Sequence, residues 1–373
     1  MAAANLTAAR RQRKELTIMR PPINHIPRFI DFSAIIRQAW EDYDASRGIV
    51  SIADISAKVS TNHVFSIKLE NDDRVIAKIS YFGKYEHFVE DHTLINALAN
   101  NLSDPFDGFL ARSLMKGHHL YTYRYSEEGL NTWVVFYNPI PVKKKLPRIL
   151  NESQIRRLGQ ETAKFHKACF KLKNILPPWS KTAKIDIEHL LYIIDSPDGS
   201  FEHRMHTDSI REQCDILLEN ADRLGYEVLP IIPVFVDWNI GNFSVDRNGG
   251  FYSRWDYDWF RMSSRVMDFY FFSRVCSSVG DRTMFSYLID PLMEDRFMLF
   301  LQEYHKVYPL TRTEVLFIKE AYRFFILNYV IKDGRYFFHE IYATKLQREA
   351  HTIYFPELDR RFNADKLLSA LNL

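Results

Sequence analysis

Apolar residues recur along the first third of the chain in patterns that change from segment to segment, and the changes mark its elements. Phe29, Ile30, Phe32, Ile35, Ile36 and Trp40 fall at helical spacing and predict a helix over residues 28–47. The texture then turns β-rich in "HVFSIKLENDDRVIAKIS", where residues 64–69 and 74–80 flank the polar turn "ENDD" and are expected as a hairpin. Helical spacing returns in "YEHFVEDHTLINALANNL", with Phe88, Leu94, Ile95, Leu98 and Leu102 as its apolar positions and Glu90 and Asp91 on its early turns. "HLYTYRYS" and "NTWVVFYN" read as two more strands. Strand, strand, helix, strand, strand in that order predicts a small α+β lobe on an antiparallel sheet.

Three prolines and a lysine triplet in "YNPIPVKKKLPR" exclude a regular element and mark a connector between lobes. Its lysines read as a solvated face, with a phosphate-attracting patch as the alternative. Beyond it, Ile155, Leu158, Thr162, Phe165 and Cys169 line one face of a long helix. From Thr283 onward the chain is again helical in texture, as in "TEVLFIKEAYRFFILNYVI". No internal repeat points to a solenoid. These boundaries divide the chain into an N-terminal tail (residues 1–27), an N-lobe with a leading helix (28–137) and a C-lobe (138–373).

Composition changes this picture little and narrows the partners. The 49 basic and 47 acidic residues leave a net charge of +2, so no general electrostatic pull toward nucleic acid or an anionic membrane is expected. No apolar run is long enough to span a bilayer. Cys169, Cys214 and Cys276 have no metal-ligand spacing and no even pairing, which fits a reducing, cytoplasmic setting. The Arg-rich start "MAAANLTAARRQRKELTIMRPP" reads as a solvated tail, with an organellar transit peptide as the alternative.

One stretch does not fit a plain core reading. "PVFVDWNIGNFSVDRNGGFYSRWDYDW" places Asp237, Asp256 and Asp258 among strand-forming apolar residues, where an unpartnered carboxylate is costly. Gly241 eases a turn before Asn242, "NFSV" begins a strand, "DRNGG" makes a hairpin turn and "FYSRW" returns to Asp256. Such a loop brings Asp237, Asn242 and Asp256 to one end of a sheet. That is the set phosphoryl transfer from ATP requires: one carboxylate to orient the acceptor hydroxyl and take its proton, and an amide and a carboxylate oxygen for Mg²⁺. Asp237 fits the first role, and Asn242 with Asp256 fit the second. "VIAK" ends a strand at Lys78, like the strand lysine that meets nucleotide phosphates, and Glu90 on the next helix is placed to pair with it.

Taken in order, these motifs resemble the aminoglycoside phosphotransferase and choline kinase superfamily of small-molecule kinases. "FVDWNIGN" (235–242) is similar to that family's catalytic loop "HGDLHPGN", and "WDYD" (255–258) to its metal segment "IDWE". "AKFH" (163–166) looks like the helix end "ALH", "STNHVF" (60–65) like the small-lobe nucleotide loop, and "MDFYFF" (267–272) like the "YDLA" helix start. The resemblance covers residues from about 50 to about 345, the extent of one catalytic domain. It implies an α+β, two-lobed protein-kinase-like fold: a small N-lobe with an antiparallel sheet and one main helix, and a larger, mostly helical C-lobe. It further implies ATP and Mg²⁺ as cofactors, nucleotide contacts at Ser60, Thr61 and Asn62, adenine on the hinge backbone from Phe136 to Asn138, and Asp268 as a brace for the catalytic loop. Two positions depart from the pattern. Phe235 and Asn239 stand where the family has histidines, which keeps a catalytically silent nucleotide-binding or scaffold module in view beside an active enzyme.

The expected acceptor is a hydroxyl of a small metabolite: an amino alcohol, amino acid, aminoglycoside or sugar. Trp238, Trp255, Tyr257, Trp259 and Phe260 would cage a quaternary ammonium or else pack a core. Asp258, Asp290, Glu294 and Asp295 would meet a cationic substrate or else face solvent. His166 is expected as a core or loop-bracing histidine. A protein kinase is disfavoured by the lack of "DFG" and "APE" segments. Monomer and homodimer both stay open.

Overall fold

A central strand buried along almost its whole length organises the first part of the chain. The computed structural model describes residues 30–57, 61–81, 83–127, 130–280 and 286–373. Phe29, Ser60 and Thr283, named above, lie outside these residues. Helix α1 (Phe32–Asp44) is shorter than residues 28–47 and starts where the Asp31 side chain accepts from the Ala34 N–H at 3.0 Å. An antiparallel sheet follows, built from β1 (Ile49–Asp54), β2 (His63–Leu69) and β3 (Arg74–Ser80). Helix α2 (Tyr85–Asn101) and a two-residue hairpin, β4 (Met115–Lys116) with β5 (His119–Leu120), separate these from β6 (Thr122–Glu127) and β7 (Leu130–Tyr137). The five-stranded order is β1-β2-β3-β7-β6. β1 was not expected from the sequence. It is an edge strand with both faces largely open, so it carries little apolar signal.

The sheet buries Phe65, Ile67, Val134 and Phe136 against Ile35, Ile36 and Trp40 of α1 in a small core of its own. Helix α2 turns the other way: Leu94, Ile95 and Leu98 join the much larger core of the C-terminal part. The helix expected to serve the small lobe thus also ties it to the large one.

In the connector, the Lys144 backbone exchanges hydrogen bonds of 3.1 and 2.9 Å with Val245, and the Lys143 ammonium lies 3.8 Å from the Tyr252 ring centre. Helix α3 (Glu152–Leu172) begins with a capping box between Asn151 and Gln154, followed by α4 (Ala183–Asp195), α5 (Pro197–Glu202) and α6 (Thr207–Arg223). Four short strands interrupt the helices: β8 (Ile231–Val234), β9 (Phe243–Val245), β10 (Phe251–Arg254) and β11 (Arg261–Ser264). They pair antiparallel as β8 with β11 and β9 with β10. Helices α7 (Phe269–Cys276), α8 (Asp295–Val307) and α9 (Arg312–Phe325) join the large core, α9 runs into a wholly buried π-helical turn, Ile326–Lys332, and the helices that follow add Leu346, Leu358 and Leu367 to the same core. Among the described residues, no helix is long and apolar enough to cross a membrane.

Candidate active site

The site is built where β8 stops pairing. Val234 still pairs with Arg261, but Phe235 and Val236 leave the ladder, and Val236 takes φ 59, a left-handed conformation unfavourable for a β-branched residue. Asp268, at the start of α7, holds the turn. Its Oδ1 accepts from the Phe235 N–H at 3.0 Å and the Val236 N–H at 2.7 Å, and its Oδ2 lies 3.0 Å from His166 Nε2. His166 Nδ1 in turn meets the Tyr304 hydroxyl at 2.8 Å. Asp268, His166 and Tyr304 are all fully buried, so this chain of bonds fixes the turn from below. His166 is thus a loop-bracing residue.

Asp237 follows directly. Its Oδ1 accepts from the Asn239 N–H at 3.1 Å, and its Oδ2 accepts from Asn242 Nδ2 at 3.0 Å. The Asn242 carbonyl accepts from the Trp255 N–H at 3.0 Å, which joins the loop to the end of the β9–β10 hairpin. Asp256 comes next, also left-handed at φ 66. Its Oδ1 receives Lys78 Nζ at 3.1 Å from the small-lobe sheet, and Lys78 also binds Asp258 Oδ1. Asn62 Nδ2 donates to the other oxygen of Asp258. Two polar groups result: Asp237 with Asn242 on the loop, and Lys78 with Asp256, Asp258 and Asn62 across the cleft. The Trp255 N–H on the Asn242 carbonyl sets them next to each other along the chain. Asp258, which the sequence left without a settled role, joins the two lobes.

Charge balance in this cluster follows from one ammonium shared by two carboxylates. Burial opposes ionisation of Lys78, but Asp256 and Asp258 outweigh it and hold the amine up at about 12. Burial opposes ionisation of Asp256, but Lys78, aided by Arg254, outweighs it and keeps the carboxyl below the usual carboxylate range. Asp258 is deeper; burial, aided by the Asp256 charge and opposed by Lys78, raises it to about 7.

Three expectations meet a different arrangement. Glu90 does not reach Lys78: its Oε1 accepts from the Ser180 N–H at 2.7 Å, and Lys78 spends its charge on Asp256 and Asp258. Two residues on, His92 is buried, and its Nε2 lies 2.5 Å from the Tyr137 hydroxyl. The Phe136 carbonyl and the Asn138 N–H are also not turned to an adenine. They bond the Leu114 N–H at 2.8 Å and the Arg112 carbonyl at 2.9 Å. Backbone groups alternate along an extended chain, and Tyr137 between them pairs with Ile76 of β3. Thr61, finally, is tied across the cleft, its N–H to the Phe337 carbonyl at 3.3 Å and its hydroxyl to the Tyr336 carbonyl.

Of the aromatic residues, Trp238, Tyr257, Trp259 and Phe260 are buried core, and only Trp255 is partly open. Asp290 and Asp295 pair with Arg361 and Lys366, and Glu294 caps the Ser278 N–H, so none of the three lines the cleft cluster. Among the described residues no group of three or more His, Cys, Asp or Glu gathers to hold a metal. The Asn242 side-chain oxygen and the Asp256 carboxylate are the two donors the sequence pointed to, on residues that the Trp255 N–H bond to the Asn242 carbonyl keeps in neighbouring parts of the loop. Two hard oxygen donors suit Mg²⁺, which keeps waters and shares phosphate oxygens rather than filling an all-protein cage.

The fold, a small sheet lobe over a helical one, is shared with several solved small-molecule kinases and phosphotransferases. An amicoumacin kinase in complex with AMP-PNP and Ca²⁺ superposes with a TM-score of 0.56 at 14% identity, covering 91% of this chain and 97% of that one. A microcompartment-associated aminopropanol kinase gives a TM-score of 0.56 at 13% identity, covering 86% and 94%. A ternary complex of an aminoglycoside 2″-phosphotransferase with streptomycin and ATP gives 0.50 at 13% identity, covering 88% and 99%. No family model matches the sequence, and no curated protein matches it.

Proposed function

We propose that this protein is a small-molecule kinase that moves the γ-phosphoryl group of ATP, with Mg²⁺, to a hydroxyl of an amino alcohol, amino acid, aminoglycoside or sugar. The observation that carries the reading is that one loop and hairpin bear the Asp237–Asn242 pair and, next to the Trp255 N–H bonded to the Asn242 carbonyl, the Asp256 carboxylate paired with Lys78, on a fold shared with solved kinases of such acceptors. Asp237 is the base: Asn239 and Asn242 orient its two oxygens, so the carboxylate is aimed before an acceptor arrives. Asn242 and Asp256 would hold the cation, which neutralises charge on the transferring phosphoryl group. Lys78, already charged, neutralises nucleotide phosphate, and Asn62, through Asp258, stands beside it on the nucleotide side of the cleft. A silent nucleotide-binding module is the competing reading, and the hold of Asp256 and Asp258 on Lys78 is the observation on its side.

ADP release measured across amino alcohols, homoserine-like amino acids, aminoglycosides and sugars tests the proposal. Turnover is expected with at least one acceptor, and Asp237→Asn should lower kcat about 100-fold or more while sparing ATP binding. Full turnover in Asp237→Asn would remove Asp237 from the mechanism. Stabilisation by Mg²⁺ and ATP without ADP release on any acceptor would favour the silent module.

A further inference from the structure

Arg254 is fully buried at the end of β10, two residues before Asp256. A buried guanidinium is always charged and offers five N–H donors. Here only Nη2 has a hydrogen-bond acceptor, the Asp237 carbonyl at 2.9 Å, while Nε and Nη1 have none. What covers the rest of the group is aromatic. Its central carbon lies 4.6 Å from the Phe235 ring centre and 4.3 Å from the Trp238 ring centre. Those rings flank Asp237 in the sequence, so the cation is gripped by the residues near the proposed base and grips its carbonyl in return.

The anchor is rigid. The Arg254 N–H donates to the Phe109 carbonyl at 2.6 Å, and its own carbonyl accepts from the Ala111 N–H at 3.1 Å and the Tyr257 hydroxyl at 3.0 Å. Phe109 stacks on Phe251 at 5.1 Å in the same core. The turn before Asp237 is thus held from two sides. Asp268 takes the amides of Phe235 and Val236, and Arg254 takes the carbonyl of Asp237. With Val236 left-handed, neither hold is redundant, because relaxation of that residue would swing Asp237.

We infer that Arg254 is a positioning residue for Asp237, and that Phe235 stands in the loop because its ring face, with Trp238, solvates this buried cation. A side chain donating from position 235 would be replaced in this chain by a donor reaching in from the hairpin. The inference rests on the proposed role of Asp237. It predicts that the Phe235 ring and the Arg254 charge are kept or lost together.

Hydrogen–deuterium exchange and steady-state kinetics of the full chain carrying Arg254→Met or Arg254→Lys test this. In Arg254→Met, amides of residues 237–242 should exchange about tenfold faster, while those of α3 keep their rates. Misplacing the base should lower kcat about 100-fold with KM for ATP within about twofold of the parent. Arg254→Lys, which can still donate to the Asp237 carbonyl, should recover part of both effects. Unchanged loop exchange in Arg254→Met would overturn the inference whether or not any acceptor is turned over. So would equal acceleration throughout α3, or an Arg254→Lys protein as impaired as Arg254→Met, since either outcome marks a residue that only fills the core. A parent protein inactive on every acceptor, with loop exchange still selectively raised, would instead count against the kinase reading alone.

Discussion

Replacing Asp268 by Asn tests the brace under the catalytic turn without changing its size. The carboxylate accepts three bonds: from Phe235 N–H at 3.0 Å, from Val236 N–H at 2.7 Å and from His166 at 3.0 Å. Hydrogen bonds to a charged group contribute about 1.5–3 kcal/mol each, but bonds sharing one partner do not add. An Asn can face the two amides with its oxygen only by turning its NH₂ toward His166, so the charge is lost and one ring contact must reorganise. Disrupting a fully buried charged network of this kind costs about 3–5 kcal/mol. For a chain of this length, at about 2.1 cal/mol/K of unfolding entropy per residue, that corresponds to a fall in Tm of roughly 4–7 °C. Thermal unfolding gives the stability term. ADP release gives the catalytic one, expected to drop about 100-fold because a base displaced by an ångström loses that much. A protein with parental Tm and parental kcat would refute the claim that Asp268 holds the turn.

Three further outcomes follow from other parts of the molecule. Burial, eased by the bond to the Phe88 carbonyl and reinforced by the ammonium groups of Lys78 and Lys181, lowers His92 to about 3. The unfolded chain takes up a proton below the usual imidazole range while the native one does not, so His92 contributes stability above pH 6.5 that is lost as pH falls toward 3. His92→Gln should flatten the decline measured by urea unfolding between pH 6 and pH 4 by up to about 1.4 kcal/mol per pH unit, and an unchanged slope would contradict this. A Cβ at Gly159 would lie 2.5 Å from the Phe300 carbonyl oxygen, so Gly159→Ala should push α3 from α8 and cost about 1–3 kcal/mol in denaturant unfolding; a neutral substitution would show that the helices yield. Lys78→Met removes a charge-assisted phosphate contact of about 1.5–3 kcal/mol and should raise KM for ATP roughly 10–100-fold; an unchanged KM would take Lys78 out of nucleotide binding.

What the sequence revealed, and what it hid, divides by the range of the interactions involved. The hairpin of β2 and β3, the loop from Phe235 to Asn242 and the β9–β10 return all rest on turn chemistry and alternation within a few residues, which a sequence displays. His166 was legible as a structural group because no matching metal-ligand residue stood near it in the sequence, and the bracing role of Asp268 came from the resemblance of "MDFYFF" to a family helix start. The partner of Glu90 was not legible. The face a helix presents to a sheet depends on packing between them, and Glu90 and His92, two residues apart, lie on nearly opposite faces of α2. The surroundings of the hinge were not legible for a similar reason: the Phe136 carbonyl and the Asn138 N–H meet the distant Arg112–Leu114 segment. Arg254 left one trace, a cation inside the strand-forming run "FYSRW", but only the fold shows two rings closing on it.

Cys169, Cys214 and Cys276 are free thiols with no exposed surface, set on α3, on α6 and at the end of α7. Burial holds all three thiols above their ordinary range, so none is a ready nucleophile in the native state. They divide the large core into three zones, one on the helix bearing His166, one on a helix away from the catalytic loop and one eight residues beyond Asp268. A thiol reagent of neutral charge can modify each only while its zone is open. The alkylation rate of each cysteine, read by peptide mass, therefore clocks the opening of a different part of the interior, with no label added to the chain.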